Sequence, residues 1–144
     1  MPQGQNMKII DSVAFILLRN KQVLAEKRKI TKIIDPGRIV IPGGHIEKGE
    51  SHREAVSREL LEELAVVSND FDYLCTLLQG YRDFTLRINY YIVHSWHGKI
   101  QSNEAEKVFW IPLSKINKFS LEIDKVAIRE FLRLHSQIKP KRLK

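Results

Sequence analysis

Residues 41–67 constrain this chain more than any other stretch. Ile41-Pro42-Gly43-Gly44 ends an apolar run with residues that stop a strand, and further on Ser51 and Glu54 have the S-x-x-E spacing of a capping box. Val56, Leu60, Leu64 and Val67 then recur at i, i+4, i+8 and i+11, which aligns them along one helical face. A helix over 52–65 follows. A helix this short gains most of its stability from burying its apolar stripe, so the rest of the chain must supply a hydrophobic surface for it.

That surface is legible as strands. Ser12 to Leu18 reads as a buried strand, Asn20-Lys21 as a turn, and Val23 to Lys27 as a second strand. Past a turn at Gly37, Ile39-Val40-Ile41 forms a short apolar strand. Tyr73–Leu78 and Phe84–Trp96, separated by Gly80-Tyr81-Arg82-Asp83, are rich in aromatic and β-branched residues and read as an antiparallel pair. Val108 to Ile111 is a further strand, ended by Pro112. A second helix is expected after Ser120 as N-cap, with Ile123, Val126, Ala127, Phe131 and Leu134 as its stripe. This order makes an α+β domain, a mixed β-sheet sandwiched between α-helices. At 144 residues the chain suits one such domain, over 7–138, between a flexible polar tail at 1–6 and a basic tail at 139–144.

The predicted helix also carries charge that its own sequence does not balance. Glu59, Glu62 and Glu63 stand at i, i+3 and i+4, within an arc of about 100° bordering the apolar stripe. Arg58 can bridge Glu54 and Glu62, but one guanidinium does not neutralise three helix glutamates and Glu50. Mg²⁺ is bound by one or two carboxylates together with waters and substrate phosphates, so the cluster is a candidate cation site; the alternative is a solvated acidic helix face.

Written as one pattern, residues 44–66 read Gly44, five residues, Glu50, seven residues, Arg58-Glu59-Leu60, one residue, Glu62-Glu63, one residue, Ala65-Val66. This resembles the Nudix box of the Nudix hydrolase family, G-x5-E-x7-R-E-U-x-E-E-x-G-U with U aliphatic, and departs from it only at Ala65, where the family usually has Gly. The resemblance extends to Val23–Arg28, Ile41–Gly44 and Trp110–Leu113. It implies the Nudix fold. Ala65 stands where a helix commonly ends on a residue with positive φ, a conformation that costs Ala roughly 1 kcal/mol or more.

What the resemblance implies for chemistry is a hydrolase that cleaves the pyrophosphate bond of a nucleoside diphosphate linked to another moiety, with Mg²⁺ or Mn²⁺ as cofactor. Glu59, Glu62 and Glu63 would bind the metal, with the Gly44 carbonyl as a further ligand, while Glu50 and Arg58 orient loop and helix. The general base would be a box glutamate or an acid on the loop before the late strand, where Glu104 and Glu106 are candidates. Arg28 could meet a phosphate or a base edge. Tyr73, Phe84, Tyr90, Tyr91 and Trp96 could stack on a nucleobase, although aromatic residues on strands commonly serve the core. ADP-ribose hydrolases of the family often carry a Pro about fifteen residues after the box, and this chain has no Pro between Pro42 and Pro112. Tyr81 lies near where members acting on dinucleoside polyphosphates carry a Tyr.

The leading expectation is a MutT-like enzyme acting on a small-molecule nucleotide, a nucleoside triphosphate. A dinucleoside polyphosphate or RNA 5′-end pyrophosphohydrolase is the alternative, and a non-catalytic nucleotide or nucleic-acid binding module is a third reading. Charge bears on the nucleic-acid readings: residues 47–63 hold six acids against three bases, whereas the remainder holds 21 bases against 11 acids, so a net +7 conceals a basic surface around an acidic segment. The polar start, the lack of a long apolar window and the single Cys75 fit a cytoplasmic protein with no membrane partner. No feature of the sequence specifies an oligomeric state.

Overall fold

The computed structural model describes residues 8–142. The chain opens with β1 (Lys8–Arg19), turns at Asn20-Lys21 and returns as β2 (Gln22–Lys27). Both turn residues have positive φ, 53° and 61°, as a two-residue hairpin turn of matching twist requires. After a long loop come β3 (Ile39–Val40) and β4 (Gly43–His45), then α1 (His52–Leu64), β5 (Val67–Gly80), β6 (Phe84–His97) and β7 (Lys107–Pro112). A short 3₁₀ segment, Leu113–Lys118, leads into α2 (Glu122–Arg142).

The sheet is mixed. β1 pairs in parallel with β6 over ten residues, and β6 pairs antiparallel with β5. At its other edge β1 meets β2 at the turn and β4 farther back, while β2 is flanked by β3 and β7. Side chains alternate across β1 and so feed two cores. Val13, Phe15 and Leu17 face α1 and pack with Val56, Leu60 and Leu64; Ala14 and Ile16 face α2 and pack with Tyr90, Ala127 and Ile128. The chain is therefore an α+β sandwich with helices on opposite faces of a mixed sheet.

Three local expectations need correction. Gly43-Gly44 does not merely end a strand but forms β4, because its backbone hydrogen-bonds to β1 at Val13 and Ala14. Val67 does not continue the stripe of α1: the helix ends at Leu64, Ala65 adopts φ 61° and ψ 32°, and Val67 begins β5 with its side chain exposed. The buried stripe is completed instead by Ala55 and, after the reversal, by Val66. Ser120 is not the cap of α2, since its hydroxyl accepts from the Ile39 amide and its amide donates to the Ile39 carbonyl, fastening the approach to α2 onto β3. Of the two tails, residues 1–6 lie outside the described residues, and α2 runs through 139–142 of the other.

Candidate active site

Ser51 makes both bonds of the capping box: its hydroxyl accepts from the Glu54 amide at 3.1 Å, and the Glu54 carboxylate accepts from the Ser51 amide at 2.8 Å. This fixes the start of α1 beside β4. Gly43 and Gly44 are needed there for space. A Cβ on Gly43 would run into the Val13 carbonyl of β1, and a Cβ on Gly44 would occupy the volume of the Glu59 carboxylate, which lies against the bare backbone.

Arg58 organises the acids around that contact. Its Nε and Nη2 donate to the two oxygens of Glu50 at 2.6 and 2.9 Å, a bidentate pairing. Nη1 donates to Glu59 at 3.0 Å and Glu62 at 3.1 Å, and Nη2 also donates to the His45 carbonyl at 2.9 Å. The Arg58 guanidinium, helped by the Glu47 amide, holds the Glu50 carboxyl down at about 2. Glu59 behaves oppositely. Burial pushes it up to about 7, against the pull of Arg58. Glu63 is also pushed well up, first by burial and then by the neighbouring charges of Glu26 and Glu104.

Glu104 reaches this group because the loop before β7 is tied to the end of α1. The amides of Gln101 and Asn103 donate to the carbonyls of Leu64 and Glu63, and the Asn103 side chain donates to the carbonyl of Glu62. These bonds satisfy carbonyls that a helix leaves unpaired in its last turn. They also place Glu104 on the wall of a cleft of about 370 Å³, together with Gly44, Glu59, Glu62 and Glu63. The opposite end of the cleft is apolar, lined by Ala14, Ile41, Leu86, Ile88 and Leu121, with Asp124 of α2 among them. Asp124 is buried, accepting from the Tyr90 hydroxyl at 2.6 Å and the Ile41 amide at 3.1 Å. Desolvation pushes its carboxyl up to about 6, against both donors.

The acidic end suits a hard divalent cation. Its donors are all oxygens, and burial and mutual repulsion disfavour the charges of Glu59 and Glu63 in a way that a cation would relieve. Among the described residues no three ligating side chains already converge on one point. The carboxylates form a wall rather than a cage, which is compatible with Mg²⁺, an ion that keeps several waters and takes its other ligands from phosphate.

The residues expected to act together therefore divide. Gly44, Glu50, Arg58, Glu59, Glu62 and Glu63 do assemble. Arg28 lines the cleft, with Nε donating to the Ile34 carbonyl at 2.8 Å. Glu106 is turned away from the cleft lining, 3.6 Å from Lys27, and Glu104 takes the place expected of one or the other. Tyr81 is also off the lining: its hydroxyl donates to Asp35 and its ring stacks on Phe84. Among the described residues the cleft lining holds no Phe, Tyr or Trp, its one aromatic ring being the imidazole of His45; Tyr90 and Tyr91 belong to the two cores, and Tyr73 is exposed on β5. The lining residues that were not anticipated include Lys32, His45, Asp124 and Glu26. For the last two, one of a pair of acids in the first turn of a helix and a polar residue alternating on a strand, no sequence signal separates them from ordinary surface charge.

The chain matches the family described as NUDIX domain over residues 8–134. It is 29% identical over 104 residues to the CTP pyrophosphohydrolase of Escherichia coli (strain K12), covering 72% of this chain and 76% of that protein. To the 8-oxo-dGTP diphosphatase of the same organism it is 26% identical over 110 residues, covering 76% and 84%. The fold is similar to the crystal structure of the MutT protein from Methanosarcina mazei Go1, with a TM-score of 0.81 at 21% identity over 91% of this chain and 98% of that one. A family match that takes in the glycine-entered loop, the capped helix and the late strand together means that this chain belongs to the Nudix hydrolase family.

Proposed function

We propose that this chain is a MutT-like pyrophosphohydrolase of the cytoplasm that converts a nucleoside triphosphate and water into a nucleoside monophosphate and pyrophosphate. The observation that carries the reading is a single cleft joining the carboxylate wall at one end to the buried Asp124 at the other. Phosphates at the first end and a base at the second would fill it, and a volume of about 370 Å³ lies within the usual range for a small-molecule site. Both curated relatives carry names of enzymes that act on nucleoside triphosphates, which supports the same substrate class.

A divalent cation, Mg²⁺ or Mn²⁺, would be held by Glu59, Glu62 and Glu63 with the Gly44 carbonyl, and would neutralise charge developing on the phosphates and acidify the attacking water. The remaining work falls to the chain itself. Arg58 fixes Glu50 and Glu59 in their places, so that the acidic wall is organised before substrate arrives. Arg28 and Lys32, both on the cleft, meet the phosphates. Glu104 accepts the proton of the water as its oxygen bonds to phosphorus and the anhydride P–O bond breaks, the electron pair leaving with pyrophosphate. Asp124 accepts from an N–H of the base edge; with no Phe, Tyr or Trp among the described lining residues, the base is gripped between the aliphatic side chains beside Asp124.

No observation favours the dinucleoside or RNA 5′-end reading: Tyr81, which suited it, is committed to Asp35 and Phe84. A non-catalytic module has no use for carboxylates whose burial is so unfavourable. The deciding experiment is a panel of ordinary and oxidised nucleoside triphosphates, ADP-ribose, dinucleoside polyphosphates and 5′-triphosphorylated RNA, assayed with Mg²⁺ and Mn²⁺ for released phosphate products. Turnover of a nucleoside triphosphate to its monophosphate is expected, and failure on every triphosphate rejects the reading. Glu59→Gln or Glu63→Gln should abolish most turnover with the fold intact; wild-type rates in both would refute their metal role.

A further inference from the structure

Glu26 on β2 has no part in the mechanism above, yet it is only 3% exposed. It lies two residues beyond Leu24 and so shares that residue's face of the strand, the face that packs on Leu60 and Leu64 of α1. A core position of this kind ordinarily takes an aliphatic side chain. Here a carboxylate points at the acidic helix and lines the cleft. One oxygen is 3.6 Å from Nη1 of Arg28, whose Nε is already given to Ile34; the other, Oε1, is fully buried and has no hydrogen-bond partner. Two further carboxylates, Glu63 and Glu104, line the same cleft without converging with it on one point.

A buried, unpartnered carboxylate oxygen among other carboxylates is costly unless something positive completes it. Arg28 is attached elsewhere and approaches from one side only. Glu26 joins the cleft lining from the sheet, whereas Glu59, Glu62 and Glu63 join it from the helix. We propose that Glu26 is itself a divalent-cation ligand, holding an Mg²⁺ or Mn²⁺ ion together with Glu63 and waters in the cleft. This rests on the metal-dependent reading above and deepens it, because it adds a carboxylate from β2 to those of the helix. Such an ion would tie β2 to α1, and binding would then stiffen the protein even without nucleotide.

The test is Mn²⁺ binding to the full chain without nucleotide, followed by electron paramagnetic resonance for stoichiometry and affinity, with thermal unfolding measured in the same buffers. Wild type should bind Mn²⁺ and melt higher in its presence. Glu26→Gln, of the same shape without the charge, should lose one bound ion or bind it at least about tenfold more weakly, and its melting temperature should respond less to Mn²⁺. The proposal is overturned if Glu26→Gln matches wild type in stoichiometry and within twofold in affinity. Should Glu26→Gln not fold, Glu26→Asp keeps the charge but draws it back along the side chain; unchanged affinity in that variant overturns the proposal equally. If wild type binds no Mn²⁺, the metal-dependent reading falls as well, whereas normal wild-type binding with an unaffected variant removes Glu26 alone.

Discussion

Replacing each of two adjacent glycines by alanine should separate the fold of this protein from its chemistry. Neither Gly43 nor Gly44 has a left-handed φ, so the backbone accepts Ala at both, and the stiffer unfolded chain would by itself favour folding by roughly 0.4–1 kcal/mol. What the new methyl meets decides the result. At Gly43 it meets the Val13 carbonyl and the Ala14 Cα, both backbone, so β4 and β1 must move apart. Overpacking against unyielding atoms costs about 1–3 kcal/mol, which in a chain of this length lowers the melting temperature by roughly 3–10 °C. At Gly44 the methyl meets only the far end of the Glu59 side chain, which can swing aside without disturbing the strand. Stability should then change by less than about 1 kcal/mol, but a carboxylate displaced by an ångström or more in the acidic wall should lower kcat about 100-fold. Thermal melts and steady-state hydrolysis of the best triphosphate read both quantities. Wild-type kcat in Gly44→Ala would refute the placing of Glu59 against Gly44, and an unshifted melt in Gly43→Ala would refute the tight pairing of β4 with β1.

Other expectations follow from single residues. Ala65→Gly relieves a left-handed φ of 61° at the end of α1 and should raise stability by about 0.5–1 kcal/mol in urea unfolding; an unchanged or lower midpoint would show the turn to be unstrained. Glu50→Gln removes the charged partner from Nε and Nη2 of Arg58 and should shift the Mg²⁺ activation curve by about 10–100-fold, whereas an unmoved curve would make that pairing irrelevant to the metal. Asp124 has its folded carboxyl raised to about 6, so the folded state takes up a proton before the unfolded chain does. Its contribution is therefore present below the ordinary Asp value and is lost as pH rises to about 6, on the order of 2–3 kcal/mol. Asp124→Asn should flatten the fall in stability between pH 4 and 6 and raise KM for the nucleotide; parallel pH profiles for variant and wild type would refute it.

The parts of this protein that were legible in the sequence are those written in local spacing. The capping box, the stripe of α1 as far as Leu64 and the Glu59, Glu62 and Glu63 arc all depend on residues within one or two turns, and they stand as expected. The strand runs were legible for the same reason, through β-branched and aromatic content. What escaped was set by distant partners. β4 has two glycines in three residues and forms only because β1 is there to pair with it. Ser120 has the chemistry of a cap, but the Ile39 amide, 81 residues away, claims its hydroxyl. Val67 matched the helical period, yet Ala65 reverses the chain before the period reaches it. Glu26 and Asp124 acquire their character solely from burial, which no local pattern announces.

The attachment of Gln101 and Asn103 to the last carbonyls of α1 has a consequence for how the cleft opens. Glu104 travels with the helix that bears Glu59, Glu62 and Glu63, so the four acids form a single jaw. Asp124, bonded to the Ile41 amide and the Tyr90 hydroxyl, is fastened to the sheet and forms the other jaw. The gap between the jaws is set by the packing of Val56, Leu60 and Leu64 of α1 on Val13, Phe15 and Leu17 of the sheet. On the proposed reading such a grip would measure the length of what it holds: a nucleotide whose base and phosphates are the right distance apart would engage both sides, and a shorter or longer one only one.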